Sequence, residues 1–189
     1  MFSTIPFTGR IRGVCVILLL LSLAPAAHAQ RPEPVQTVNV LASVSGGISY
    51  TGINTYVTLA GAFRRHMIYV GPKAVLSRSF LPGRTLWGAN IGYNFAIIDQ
   101  DRWVTWLNVD YQHTAYRVPA QIKYNSIQEL SGGLSLNYFA VPQRLAIGVT
   151  LGTGIYFENS YNRYTATTAT NSGLMHQLRL GLIYKLTRS

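Results

Sequence analysis

Long segments in which large apolar side chains recur at every second position run from residue 38 to residue 186, and this alternation restricts the fold more than any other feature. Side chains of a strand point alternately to its two faces, so a period of two means extended chain with one face unlike the other. The segments are 38–50, 55–64, 67–77, 85–98, 103–116, 126–139, 145–157 and 174–186. In the fourth, Trp87, Ala89, Ile91, Tyr93, Phe95 and Ile97 share one face, opposed by Gly88, Asn90, Gly92, Asn94 and Ala96. In the seventh, Leu145, Ile147, Val149, Leu151, Thr153 and Ile155 oppose Ala146, Gly148, Thr150, Gly152 and Gly154. In the eighth, Leu178, Leu180, Leu182, Tyr184 and Leu186 oppose Gln177, Arg179, Gly181 and Lys185. Most segments reach ten residues or more. Strands of soluble sheets average about 5–6, and a tilted strand crossing a bilayer needs about 9–11.

The second face decides the architecture. A soluble sandwich or lipocalin-like barrel turns its apolar face inward and covers the other with charge. Here the second face carries mostly Gly, Asn, Ser, Thr and Ala, which suits the crowded interior of a narrow barrel with its apolar face in lipid. Composition agrees: 48% of the chain is hydrophobic and only 12% charged, against about 25% charged in a typical soluble domain. The expected fold is all-β, an eight-stranded antiparallel up-and-down transmembrane β-barrel spanning 38–189. Connections alternate in length. Residues 64–66, 99–102 and 141–144 read as tight turns, and 77–84, 117–125 and 158–173 as longer loops, with 51–54 a short connection on the loop side. Short periplasmic turns with longer outer loops place both termini in the periplasm.

The chain begins with an export pattern. Arg10 and Arg12 precede a ten-residue apolar run from Val14 to Leu23, then Pro25 and Ala27-His28-Ala29 before Gln30. Small residues two apart fit signal-peptidase cleavage, and the run falls short of the roughly 20 residues of a spanning helix. Residues 1–29 are therefore expected to be removed, with 30–37, containing Pro32 and Pro34, as an extended lead-in. Cys15, the single cysteine, leaves with the signal. The remaining chain has 14 Lys+Arg against six acids, a net charge of +8 once Arg10 and Arg12 are removed. In an exported protein this favours outer-membrane lipid and lipopolysaccharide over nucleic acid as the counter-charge; basic residues that only solvate loops and turns are the plainer reading.

Strand parity places five charges inside: Lys73, Asp110, Glu129, Arg179 and Lys185. Facing lipid at mid-membrane, an Arg or Lys costs roughly 2–4 kcal/mol; facing inward, it can pair, and Arg179 can reach Asp110 or Glu129 across the lumen. A structural network filling the interior is the main expectation, a charged gate the alternative. Inward glycines are expected to make room for Tyr69, Trp106 or Arg179 rather than to leave a polar cavity. Aromatics near segment ends form two expected belts: Trp87, Tyr111, Tyr116, Tyr156 and Phe157 on the loop side, and Phe63, Trp103, Tyr138, Phe139 and Tyr184 on the turn side.

The Ala27-His28-Ala29-Gln30 junction, the eight long alternating strands and the glycine-rich second faces resemble small outer-membrane barrels of the OmpA/OmpX type. The Ala-Gln junction and basic turns are particularly similar to barrels of Bacteroidetes-like bacteria. The resemblance covers 30–189 and is architectural. It implies a structural protein or an accessory subunit of a larger outer-membrane assembly for secretion, conjugation or uptake. Two alternatives are a surface binding protein using its outer loops and a lipid-modifying enzyme, since acylases and deacylases occur on this scaffold. For the first alternative the candidate binding residues are Tyr161, Arg163 and Tyr164. For the second, a nucleophile and base must lie within hydrogen-bond reach. His66 lies in a basic turn, and His113 and His176 have lipid-facing parity. Ser172 and His176 are four apart, about 13 Å along a strand. The expectation is no enzyme, no cofactor and no metal site, because the histidines and acids match no ligand spacing.

Overall fold

The structure, a computed structural model, describes residues 38–77, 86–100, 102–116, 125–142, 144–162 and 165–187. The expected signal and lead-in lie outside them. The strands are β1 (Asn39–Ser49), β2 (Gly52–Phe63), β3 (His66–Ser77), β4 (Leu86–Asp99), β5 (Trp103–Tyr116), β6 (Asn125–Val141), β7 (Leu145–Asn162) and β8 (Thr167–Lys185). Each pairs antiparallel with the next, and β8 returns to β1 to close an up-and-down barrel. A walk along paired residues from Met175 through Gly154, Ser131, Asp110, Gly92, Tyr69, Ala60 and Leu41 comes back to β8 at Lys185, ten residues further on. With about 3.3 Å per residue and about 4.7 Å between strands, that stagger tilts the strands by roughly 40°. An eleven-residue strand such as β1 then rises about 27 Å along the axis, close to the ~25 Å apolar band of outer-membrane barrels.

The polarity is inside-out relative to a water-soluble protein. Val44, Leu59, Ile68, Trp87, Leu151 and Leu180 are exposed, while Lys73, Asn90, Asp110, Gln112, Thr114 and Glu129 are buried. Soluble monomers rarely show apolar patches beyond a few hundred Å². In hydrocarbon the same side chains are stabilised by about 1.5–3 kcal/mol each. The closed ladder leaves no strand edge at the level where all eight strands are present, which a lipid surround requires. This is the fold of a transmembrane β-barrel.

Several strand limits differ from the sequence reading. Strand β2 starts at Gly52, so the first connection is only Tyr50-Thr51; Gly52, at φ 110°, adopts a backbone that other residues avoid. His66 belongs to β3, opposite Phe63, after a two-residue turn in which Arg64 has φ 53°. The largest change is at 158–173, read as a loop. Ladder pairs continue to Asn162↔Thr167, making β7 18 and β8 19 residues long. Thr and Tyr are good strand formers, and no Pro interrupts the segment. Polar composition had masked a hairpin that leaves the membrane and keeps its hydrogen bonds.

The aromatic belts are partly corrected. Phe63, Trp87, Trp103, Tyr111, Phe157 and Tyr184 are exposed, and Trp103 packs on Tyr138 at 4.6 Å. Tyr116 is buried inward, and Tyr156 and Phe139 sit at inward register positions, where they help fill the two ends of the lumen. Register, which the sequence reading extrapolated to the strand ends, decides these cases.

Between β2 and β3 the ladder skips Val57 and Thr58 opposite Gly71 and Pro72. Pro72 has no N–H to donate, and Gly71 lies so close to β2 that a Cβ there would strike the Val57 carbonyl. Gly71→Leu should therefore destabilise the barrel by about 1–3 kcal/mol, the usual scale of overpacking. Urea unfolding in detergent micelles checks this; an unchanged midpoint would mean that β2 moves aside freely.

Candidate functional site

The candidate site is the lumen, because that is where the buried polar side chains converge. Its middle is held by an ion pair between Arg179 of β8 and Asp110 of β5, at 2.8 Å. Asp110 also accepts from the Tyr69 hydroxyl at 2.7 Å and from Gln112 Nε2 at 2.6 Å. Gln112 Nε2 lies 2.9 Å from Gln177 Oε1, and Gln177 Nε2 donates to Ser131 Oγ at 2.7 Å. Asn108 Nδ2 donates to Tyr69 at 3.0 Å. One carboxylate thus gathers groups from β3, β5 and β8.

A second ion pair lies on the loop side, between Lys73 of β3 and Glu129 of β6, both essentially unexposed. The β1–β2 turn folds onto it. Thr51 N donates to Glu129 Oε1 at 3.1 Å, and Lys73 Nζ donates to Thr51 Oγ1 at 2.7 Å. Asn54 Nδ2 ties the turn back to Ser49 Oγ at 2.9 Å. Tyr56 joins the two pairs: its ring centroid is 4.1 Å from the Arg179 guanidinium carbon and 6.0 Å from Lys73 Nζ, and its hydroxyl donates to Gln112 at 3.1 Å. Cations over an aromatic face are stabilised by about 0.5–2 kcal/mol each.

Above this network Val75, Leu86, Tyr116 and Ile127 form a buried apolar cluster, with Tyr50 against them. Tyr50 stacks on Tyr156 at 3.5 Å, and Tyr50 and Tyr116 donate to the two oxygens of Glu158 at 2.7 and 2.8 Å. Burial first, then the hydrogen bond to Glu158, push the Tyr50 phenol above its ordinary value, so it stays a donor. On the turn side a second apolar cluster, Met67, Ala96, Val104 and Trp106, occupies part of the lumen. Between it and Arg179 lies a cavity of about 70 Å³.

Of the five inward charges, four are brought together as two ion pairs, Arg179 with Asp110 and Lys73 with Glu129. Lys185 faces inward near the turn-side end, apart from both. Gly92 does make room for Tyr69, whose ring a Cβ would strike, but Gly148 and Gly181 line the cavity. A Cβ at either would also meet a side chain, Asn137 or Ser45, so making room and lining a cavity go together in that half. Tyr161 lies near the end of β7, its N–H donating to Asn125 Oδ1 at 2.7 Å; Arg163 and Tyr164 fall outside the described residues. His66 Nδ1 is 2.6 Å from the Tyr93 hydroxyl, and His176 is exposed on the outer face. Tyr56, Gln112 and Gln177 were not singled out from sequence, although all share inward parity with the charges. Thr51 carried no signal, since nothing local shows that a turn folds inward. Among the described residues no group of three or more His, Cys, Asp or Glu could hold a metal ion.

No protein-family profile and no curated protein matches the sequence. Among solved structures the chain is similar to Neisserial surface protein A, at 12% identity and TM-score 0.47, covering 81% of this chain and 100% of that one. It is similar to the N-terminal β-barrel domain of Pseudomonas aeruginosa OprF, at 8% identity and TM-score 0.44, covering 79% and 100%. It is also similar to the outer membrane protein AlkL in lipid bilayers, at 6% identity and TM-score 0.46, covering 87% and 98%. None of the three supports the Bacteroidetes-like resemblance.

Removing one partner of a buried ion pair leaves the other charge uncompensated. Asp110→Asn should cost about 3–5 kcal/mol, and Asp110→Asn combined with Arg179→Gln should recover part of that loss. Unfolding of the four proteins of this cycle in micelles checks it. Strictly additive losses would mean the two side chains act independently.

Proposed function

We propose that this chain is an outer-membrane barrel of a Gram-negative cell, exported by residues 1–29 and set with both termini in the periplasm. Its role is structural, or that of an accessory subunit in a larger envelope assembly, without enzymatic activity. The observation that supports this most is a lumen crossed by two ion pairs bridged through Tyr56 and capped by Tyr50, Tyr116 and Ile127. Carboxylates inside are already engaged: Asp110 by three donors, Glu129 by Lys73 and Thr51, and Glu158 by two tyrosines. Groups held this way serve packing better than proton transfer, which needs a titrating group within reach of a substrate. The exposed apolar wall would be covered by phospholipid and lipopolysaccharide acyl chains.

The expected behaviour is recovery in the outer-membrane fraction, extraction only by detergent, and electrically silent planar bilayers after insertion. Steady single-channel steps from the unmodified protein would remove the sealed-barrel reading. Recovery as a soluble periplasmic protein would remove the membrane reading.

A second reading, surface binding, is favoured by the β7–β8 hairpin. β1 pairs with β8 only from Leu178 to Lys185, so the stretch from Thr167 to Gln177 has no neighbour on that side among the described residues. This edge carries no Lys, Glu or Pro, the residues that usually discourage strand addition. It would suit an extended segment of a partner protein, held by main-chain hydrogen bonds. A photo-crosslinking residue at Thr168 in the native cell should give a discrete adduct that Thr170→Pro abolishes; no adduct, or one indifferent to the proline, argues against it.

A further inference from the structure

We propose that the turn-side half of the lumen is a binding site for one small oxyanion of the phosphate class, with Arg179 as its anchor. This goes beyond the sealed-barrel reading and does not require the protein to have a partner.

The cavity of about 70 Å³ is lined by Ser43, Thr58, Asn108, Ser135, Thr150 and Arg179, among others. On this measure a water needs roughly 10–15 Å³, so there is room for a few waters or one tetrahedral ion. Every strand contributing to it does so from its turn-side half, and the network around Asp110 and Tyr56 closes the far end. The space therefore lies toward the turn-side end of the lumen, beside the cluster of Met67, Ala96, Val104 and Trp106.

Two of the residues that line it carry a buried polar atom without a partner, Arg179 at Nε and Asn108 at Oδ1. They have opposite hydrogen-bonding sense, since Nε–H donates and the amide oxygen accepts. An orphaned buried group costs about 1–3 kcal/mol, more when charged, so an occupant toward which a small rotation of either side chain turns these atoms is favoured. A hydrogen-bearing oxyanion such as dihydrogen phosphate offers an acceptor to Arg179 and a donor to Asn108. The Arg179 guanidinium is not consumed by Asp110, because the ion pair uses only Nη2. The Ser43–Thr58 and Ser135–Thr150 hydroxyl pairs add donors that can turn toward an ion.

Charge along the approach is mainly positive. Lys185 faces inward below the cavity, and Arg64, Arg65, Arg102 and Arg144 are exposed in the turns around the mouth. Among the described residues at this end the only acid is Asp99, on the rim. A low-dielectric tube focuses such a field and draws anions to its mouth.

The test uses the folded full chain in uncharged micelles, titrated calorimetrically with phosphate, sulfate and acetate at constant ionic strength. One phosphate should bind per chain. Ser135→Leu, which fills the cavity and leaves the Arg179–Asp110 pair intact, should weaken binding at least ten-fold, as should Arg179→Gln. Ser135→Ala, which keeps the space open and loses one hydroxyl, should weaken binding less than Ser135→Leu does; Leu134→Ala, on the outer face of β6, should stay within about three-fold of the original and serves as the folding control alongside heat-modifiable gel mobility. No saturable heat with any of the three ions overturns the proposal and leaves the cavity to water. Binding that Ser135→Leu does not change overturns it as well. A response to phosphatidylglycerol vesicles without one to free phosphate would assign the arginine rim, not the cavity, and also overturns it.

Discussion

A backbone in hydrocarbon has no water to satisfy its N–H and C=O groups, so each must be paired within the protein, and a sheet can do this only by closing on itself. Here closure involves eight strands and a stagger of ten residues between Met175 and Lys185. Those two integers fix the tilt and hence the radius. The radius fixes how much volume the inward side chains must fill. The residues inside follow: a tube this narrow admits Tyr56 and Tyr69 only where Gly or Ser faces them, as Gly92 faces Tyr69.

Filling such a tube with apolar residues throughout would leave each strand with two apolar faces. A polar interior keeps the faces distinct, and its cost is that every inward donor and acceptor needs a partner. The Asp110 and Glu129 clusters meet that demand by drawing on strands that do not pair in the sheet: β8 reaches β5, and β3 reaches β6. Such cross-lumen contacts hold the ring against ovalisation, which ladder hydrogen bonds between neighbours cannot do. Where partners run out, at Asn90, Thr114, Asn108 and Arg179 Nε, the interior is incomplete in protein atoms alone, and the last two line its turn-side cavity.

The barrel was legible because alternation is a local signal repeated eight times, and the register of one strand confirms the face of the next. Strands β4, β7 and β8 could be assigned face by face from their residues. The inward charges were legible by the same parity. Their pairing was not, because Arg179 had Asp110 and Glu129 both within range, and the choice depends on the stagger. Thr51 was invisible for a related reason: a turn has no period, so nothing announces that it folds into the lumen. The 158–173 segment was misread because solvent-exposed strands lose the apolar half of the alternation while keeping the backbone pairing. Ser160 and Tyr161 still pair with Ala169 and Thr168.

That misreading points to where the closure constraint stops. Within the apolar band an unpaired edge would be prohibitive, so β1 stays with β8 up to Ile48. Above it water can satisfy the free groups of β8, and the hairpin can extend alone without breaking the physics that shapes the rest. Leu174 is the informative residue: it lies on the outer face of that extension and is 79% exposed, although β1 has already ended beside it. An apolar side chain at the top of an open strand edge sits at the boundary between the region set by lipid and the region free to vary. Any surface recognition would belong above that boundary, and any occupant of the lumen below the cluster of Thr51, Lys73 and Glu129.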